Sequence, residues 1–441
     1  MNKIIYGFIV LAVFVSCGHK SEPEPNVNGS RQVRSTKRGI SFNILYEADF
    51  AQLEKGISWA YNWGASGYNT EFENVAKESK VAYFPMFWDS LDVVKGWTDK
   101  IRAYKQVNPD CIYLLAYNEP NLTNQANMTP VQAAEQWPQI KNLAQDLKMK
   151  IIAPAMNYGT LPDYNDPIRW LDEFFEQAGV SINDVDALAV HSYMNSPAAV
   201  KSYIEKFRKY NKRIWMTEFS AGEETVSVED QREFMCSMLN YLESDPLIER
   251  YAWFKYDGGM AVVEKSNSKL RPSGNRKGEL TDLGKIYINF SSFDKNLYYV
   301  PEQIIPAEHY NNCNASEIAG TDNSVRGPQV KVSSDASGTS DASGILEVSD
   351  LYISQWMEYQ ITPETAGNHQ LIFRYASEYG SRMKISSNGN EISEIELPKT
   401  GNNTTWTTKT ITISLGAEKQ TIRIQPSEGM FSLNWWQYKK T

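Results

Sequence analysis

Only four cysteines and four histidines occur in 441 residues, and that scarcity removes several functional classes. Cys111, Cys236 and Cys313, the three beyond the N-terminal region, have spacings that fit neither a zinc site nor a disulfide framework. They read as buried thiols. His19, His191, His309 and His369 are widely separated, and only His191 falls within residues 39–293, which argues against a histidine-rich metal centre. No cofactor is expected for catalysis. No basic patch offsets the formal charge of −9, and phosphate binding needs one, so nucleic acid is not an expected partner. What the chain does have is aromatic surface, with 12 Trp and 25 Tyr. Such rings stack on the apolar faces of sugars or fill a large core, and composition leaves both readings open. The hydrophobic fraction of 41% is ordinary for a globular protein, and the length suggests two or three domains.

The N-terminus carries an export pattern. Lys3 precedes an apolar run from Ile4 to Val15, the length of a signal-peptide core and too short to span a bilayer comfortably. The run ends at Phe14-Val15-Ser16-Cys17 with Gly18 following, which resembles a bacterial lipobox. That resemblance implies a signal peptide over residues 1–17 and a lipid on Cys17; a plain signal peptide with an incidental cysteine is the alternative. Residues 18–38, rich in Ser, Glu, Pro and Asn near their start, read as a disordered tether. Glu22 and Glu24 resemble the surface-export signals of Bacteroidetes lipoproteins. The expected product is a monomer held by its lipid at the outer-membrane surface.

From Gly39 short apolar runs alternate with helical periods. The runs are Gly39–Ile44, Ile57–Gly64, Val81–Trp88, Cys111–Asn118, Lys150–Asn157, Ala187–Tyr193, Arg213–Phe219 and Arg250–Tyr256. Rich in Ile, Val, Tyr, Phe and Trp, they suit strands buried on both faces. Amphipathic stretches such as Pro130–Leu147, Pro197–Tyr210 and Val228–Ser244 lie between them, the first preceded by Asn127 and Thr129 as capping candidates. Eight strand–crossover units predict a (β/α)8 TIM barrel over residues 39–293. A doubly wound sheet usually opens on a glycine-rich loop, and Leu45-Tyr46-Glu47-Ala48-Asp49 after the first run has no glycine.

Catalytic groups of a barrel sit at the C-terminal strand ends. Those ends carry Asn43, Asn62 and Trp63, Trp88, Asn118 and Glu119, Asn157, His191 and Tyr193, Glu218, and Trp253 to Asp257. Burying such groups without partners costs about 1–3 kcal/mol each, so a cleft that uses them is the economical explanation. Glu119 and Glu218 end the fourth and seventh runs, which face each other across a barrel mouth. Either glutamate alone reads equally well as a salt-bridged surface carboxylate. Together they suit glycoside hydrolysis, in which one carboxylic acid protonates the leaving oxygen and the other carboxylate acts at the anomeric carbon. A separation of about 5–5.5 Å gives retention and about 6.5–9.5 Å inversion. Asn118 is placed to bond a sugar 2-hydroxyl, and Tyr193 to donate to Glu218 and lower its pKa. His191 reads either as a substrate contact or as a structural, hydrogen-bonded histidine.

Residues 39–290 resemble glycoside hydrolase family 128. The matching segments are Tyr61-Asn62-Trp63, Pro85-Met86-Phe87-Trp88, Tyr117-Asn118-Glu119-Pro120-Asn121, Ala189-Val190-His191-Ser192-Tyr193, Trp215-Met216-Thr217-Glu218-Phe219 and Arg250-Tyr251-Ala252-Trp253-Phe254. The resemblance implies a retaining, endo-acting cleavage of laminarin-like β-1,3-glucan, with Glu119 as acid/base, Glu218 as nucleophile, and Trp63, Trp88 and Trp253 as glucose platforms. Another β-glycan (β-1,4- or mixed-linked glucan, mannan or galactan) and a non-catalytic glycan-binding lipoprotein are the alternatives.

After Phe293 helical periods stop. Residues 294–306 read as a linker, and 307–441, with short alternating polar and apolar runs, as a β-sandwich of the jelly-roll kind. Its opening, Ile305 to Tyr310, and its close, Ser432 to Trp436, resemble carbohydrate-binding module family 6. The resemblance implies a sugar site of Tyr352, Trp406 and Asn434. A structural calcium is common in that family, and Glu308 could ligate one, although no dense acidic cluster accompanies it. A sandwich kept only for stability is the alternative.

Overall fold

A strand covered on both faces must be apolar throughout, and the eight runs become the wall of one closed sheet. The computed structural model describes residues 34–67, 73–222, 226–257, 267–314, 327–335 and 345–441. The export pattern, Cys17 included, lies outside them, and among the described residues no helix is long and apolar enough to cross a membrane. The strands are β1 (Arg38–Ser41), β2 (Trp59–Tyr61), β3 (Ala82–Tyr83), β4 (Met86–Phe87), β5 (Tyr113–Ala116), β6 (Lys150–Met156), β7 (Ala187–Ser192), β8 (Arg213–Phe219) and β9 (Ile248–Trp253). All pair in parallel, in the order β3-β2-β1-β9-β8-β7-β6-β5-β4. The two ends of that order, β3 and β4, are halves of the single run predicted over Val81–Trp88. They part at Phe84-Pro85, where proline has no N–H to donate. Phe84 N donates to Ala60 O at 3.1 Å and Leu115 N to Pro85 O at 3.0 Å, so one chain segment closes the ring. The result is an eight-stranded barrel in which β5 is the fourth strand and β8 the seventh.

The helix predicted over Pro130–Leu147 is two, Pro130–Glu135 and Trp137–Leu147. Pro138 lacks a donor, and its ring would meet the carbonyl of Ala134 if the first helix ran on. The first helix is capped as expected by Thr129, with Gln132 bonding back to the Thr129 N–H at 2.8 Å. The last residues assigned to the tether are folded instead. Arg34 donates to Glu54 O and Lys80 O at 2.6 Å each, and fully buried Arg38 opens β1. Its guanidinium meets Glu243 Oε1 at 2.9 Å, the Tyr251 hydroxyl at 2.9 Å and Ser291 O at 2.7 Å, closing the barrel's lower end.

The C-terminal part is an antiparallel sandwich built around one long strand. This part contains β10 (Ile304–Pro306), β11 (Asn312–Cys313), β12 (Gln329–Val332), β13 (Leu346–Tyr352), β14 (Met357–Ile361), β15 (Gly367–Ala376), β16 (Ser381–Ser387), β17 (Asn390–Leu397), β18 (Thr407–Leu415) and β19 (Gln420–Lys440). The first half of β19 pairs with β14 and β16, and the second half with β13, β15 and β10. Gly429, at φ +68°, lies between the halves. The expected linker belongs to this unit, since β10 pairs with β19 and Tyr299 N donates to Gln360 O at 2.9 Å. The sandwich also bonds to the barrel helix Val228–Ser244. Asn240 donates to Pro328 O at 3.0 Å and accepts from the Tyr310 hydroxyl at 2.7 Å, and Arg232 reaches Val330 O at 2.9 Å. Cys111, Cys236 and Cys313 are buried thiols.

Candidate active site

The fourth strand leaves the barrel wall through a twisted segment that presents Glu119. Tyr117 N and Asn118 N donate to Phe87 O and Trp88 O on one side, at 2.7 and 2.8 Å, and Glu119 N donates to Ala155 O on the other, at 3.0 Å. Crossing between neighbours places Tyr117 at φ 55° and Glu119 at φ 45°; Trp63, across the cleft, is at φ 63°. A non-glycine residue in that region costs of order 1–3 kcal/mol, and such positions gather where a functional group must be aimed. Glu218 comes from the end of β8, where the register shifts against both neighbouring strands, β7 and β9.

The two carboxylates and His191 form one buried cluster. Each offers an oxygen or ring nitrogen, and these atoms lie within 4.8 Å of one another. His191 Nδ1 is 3.0 Å from Glu119 Oε1 and 3.4 Å from Glu218 Oε2, while its Nε2 is 2.9 Å from the Thr217 hydroxyl. Asn157 Nδ2 donates to Glu119 Oε1 at 3.0 Å. Glu218 Oε1 accepts from the Trp63 indole at 2.7 Å and the Tyr61 hydroxyl at 3.1 Å, and Oε2 accepts from the Tyr193 hydroxyl. Burial pushes the Glu119 carboxyl up, but the hydrogen bond and charge of His191, with Asn157, hold it below the ordinary value. Burial holds Glu218 above it: the nearby Glu119 charge adds to the rise, and His191, Tyr193 and Trp63 oppose it. The expected Tyr193 bond is therefore present, but the pKa lowering expected from it is outweighed by burial. For His191 burial alone would lower the pKa, yet Glu218 and Glu119 raise it.

A cleft of about 460 Å3 opens over the cluster, lined by Asn43, Trp63, Trp88, Asn118, Glu119, Leu122, Gln125, Asn157, Tyr193, Glu218 and Phe254. Asn118 gives its amide N–H to Gln125 Oε1 at 3.1 Å, and its buried Oδ1 has no partner, an acceptor open to a ligand hydroxyl. Trp63 spends its indole N–H on Glu218, so Trp88 is the freer of the two rings.

Two expected substrate contacts are placed otherwise. His191 is 1% exposed and sits beneath the cleft, bridging the carboxylates. Trp253 is fully buried, packs against Phe219 with ring centroids 5.0 Å apart, and donates to Ser268 O at 2.7 Å. Side chains alternate across a strand, so Arg250 and Phe254 point inward when Trp253 points outward. Arg250 indeed lies 5.1 Å from the Tyr113 ring inside the barrel, and Phe254 stands edge-on to Trp63 and Tyr193. Period-two counting along that strand is the signal that would have found Phe254; Tyr61 shares the same reasoning on β2.

In the sandwich, Trp406 and Asn434 come to one place. The Trp406 indole lies 3.2 Å from Ser334 Oγ, and Asn434 Nδ2 donates to the adjacent Asp335 at 3.0 Å. Arg374 grips the same carboxylate with two bonds, at 2.7 and 2.8 Å. The Tyr352 backbone lies farther along the sheet. It pairs with Met430 in register, four residues along β19 from Asn434, which is roughly 13 Å at strand spacing. Glu308, the calcium candidate, is fully buried 3.8 Å from His309. Among the described residues the only set of three or more His, Cys, Asp or Glu side chains close enough for one ion is Glu119, His191 and Glu218.

Comparison with known proteins follows this division. Residues 39–287 match the family model described as glycosyl hydrolase catalytic core, and residues 329–438 the carbohydrate binding module (family 35). The module is thus similar to family 35, and the family 6 assignment is not supported. A crystal structure of a family 128 (subgroup II) endo-β-1,3-glucanase from Pseudomonas viridiflava is 33% identical, with a TM-score of 0.51, covering 58% of this chain and 98% of that one. The corresponding enzyme from Sorangium cellulosum is 29% identical, with a TM-score of 0.51 and coverage of 57% and 97%. Alkali-sensitive linkage protein 1 of Schizosaccharomyces pombe is 25% identical over 271 residues, 58% of this chain; the match spans 45% of that protein's length.

Proposed function

The chain belongs to glycoside hydrolase family 128, within the glycosyl hydrolase catalytic core, and from that premise we propose that it cuts β-1,3-glucan internally with retention of configuration. The observation that carries the mechanism is the approach of the two carboxylates, whose nearest oxygens lie within 4.8 Å. A separation of about 5–5.5 Å leaves no room for a water between carboxylate and sugar, so the second carboxylate attacks directly. Glu119 protonates the glycosidic oxygen while Glu218 bonds to the anomeric carbon. Glu119 then deprotonates the water that releases the sugar. Tyr193, Trp63 and Tyr61 hold Glu218 in line, Asn118 receives the 2-hydroxyl, and Trp88 supports a glucose ring. The β-1,3 linkage and internal cutting follow the two subgroup II enzymes.

Reducing-sugar release from laminarin, β-1,4-glucan, mannan and galactan tests the substrate. Release from laminarin alone is expected; release from another polymer instead would overturn the linkage. Tyr193→Phe is expected to lower kcat about 10- to 100-fold with little change in KM, because a charge-assisted bond of ~1.5–3 kcal/mol is lost. Steady-state kinetics on laminari-oligosaccharides reads this directly.

The module supports retention on polymer through Trp406 and Asn434. Trp406→Ala is expected to abolish binding to insoluble glucan in a pull-down while turnover of short oligosaccharides persists. Loss of both would instead make the module structural. The N-terminal pattern supports a lipid on Cys17 and a place on the outer-membrane surface. Cys17→Ala should leave the protein in the soluble fraction of cell lysates, and unchanged membrane association would contradict the anchor.

A further inference from the structure

We propose that His191 stores the catalytic proton of the resting enzyme, as an imidazolium clasped between Glu119 and Glu218, and lends it to Glu119 for each glycosidic cleavage. This rests on Glu119 and Glu218 as acid/base and nucleophile, and adds a group that the two-carboxylate scheme does not contain. Three observations carry it. First, Nδ1 faces two carboxylate oxygens, Glu119 Oε1 at 3.0 Å and Glu218 Oε2 at 3.4 Å, so that nitrogen carries a hydrogen, while Nε2 lies 2.9 Å from the Thr217 hydroxyl. The Thr217 hydroxyl can accept from an Nε2–H, so both nitrogens have a partner when the ring is protonated. Second, the ring is 1% exposed, so water neither screens it nor exchanges readily with it. Third, two buried carboxylates this close cannot both be ionised without a counter-charge. The charged groups facing His191 are Glu119 from the end of the fourth strand and Glu218 from the seventh. Tyr193, two residues along, and Tyr61 from the second strand meet Glu218 and not the ring. Among the described residues no lysine or arginine is paired with either carboxylate, which leaves His191 to supply the positive charge. The raised imidazole pKa and the lowered Glu119 pKa agree with that placement, while burial, which raises the Glu218 carboxyl, works against it.

The step balances without another reactant. When substrate enters, the Nδ1–H bond breaks and its proton forms the Glu119 O–H, leaving a neutral imidazole. That proton passes to the glycosidic oxygen as the bond from the anomeric carbon breaks, its electron pair staying on the leaving oxygen. Glu218 forms the new bond to carbon. The ester carries no charge, so the field that held the proton on His191 is weakest when the ring is neutral. In the second half Glu119 takes a proton from the attacking water, whose oxygen bonds to carbon as the ester bond breaks. With Glu218 ionised again, that proton returns to Nδ1.

Nitrogen NMR of the full chain, with histidines selectively labelled, tests this beside the pH dependence of kcat/KM on a laminari-oligosaccharide. One histidine should be doubly protonated at neutral pH and titrate with the alkaline limb of the activity profile, above the ordinary histidine range. Its signals should vanish in His191→Asn. A neutral His191 across the active pH range, or a midpoint more than about one pH unit from that limb, would overturn the proposal. His191→Asn supplies the second reading, since the amide can still donate to Glu119 but cannot hold a proton. We expect about a 10²-fold loss on unactivated glucan, the scale of one general-acid contribution, and little loss on a dinitrophenyl laminaribioside, whose leaving group needs no proton. Equal losses on both substrates would make His191 merely structural. These failures leave the wild type active and Glu218→Gln inactive, whereas failure of the underlying reading does not.

Discussion

Glu218→Gln is expected to remove essentially all turnover of β-1,3-glucan, by on the order of 10⁴- to 10⁶-fold in kcat. The change is nearly isosteric, but an amide cannot attack the anomeric carbon to form a glycosyl ester. That loss corresponds to about 5.5–8 kcal/mol of barrier, several times what any single supporting hydrogen bond supplies. Binding should survive, because Trp88, Asn118 and the remaining wall of the cleft are untouched. The check is a pair of measurements on one preparation: reducing-sugar release, expected to vanish, and oligosaccharide affinity by calorimetry, expected to persist. Turnover within tenfold of wild type would remove Glu218 from the nucleophile's place.

Glu119→Ala should separate the other role. On glucan, loss of the general acid is expected to cost about 10²- to 10⁴-fold. A dinitrophenyl laminaribioside should still form the glycosyl-enzyme at close to the normal rate, because its leaving group departs without a proton. The intermediate should then accumulate, since no base activates water. Added azide should relieve the block and yield the β-glycosyl azide, detectable by mass spectrometry and NMR. Wild-type enzyme should make none. Failure of azide to accelerate turnover, or equal losses on the two substrates, would assign Glu119 to structure and not to proton transfer.

Both glutamates were legible because polar groups at the ends of otherwise apolar strands carry a desolvation cost that demands a reason. The barrel was legible from the run lengths and their spacing. Where the reading went astray, the missing quantity was usually local. Trp253 and Phe254 are neighbours, and only the inward phase of their strand, revealed by Arg250 among the barrel's internal rings, tells which one meets the cleft. Tyr352 and Asn434 lie at opposite ends of a paired stretch, and registers across a sandwich are not visible in one chain's alternation. Pro85 and Pro138 each broke an element drawn as continuous, although a missing donor is readable from sequence. His191 illustrates a different limit. Its residue type and strand were plain, yet whether it meets substrate or carboxylates depends on distances of a few ångströms. The tether's end was misplaced because Arg38, a charged residue, looks like solvent-facing chain until Glu243, more than two hundred residues later, is brought against it.

Proton NMR of the first products from laminari-oligosaccharide is the most direct test of the central claim. Two carboxylates this close predict a double displacement, so the β-anomer should appear first and the α-anomer only later, by mutarotation. An α-anomer at the earliest time points would mean that water attacks directly, and would contradict Glu218 as a nucleophile.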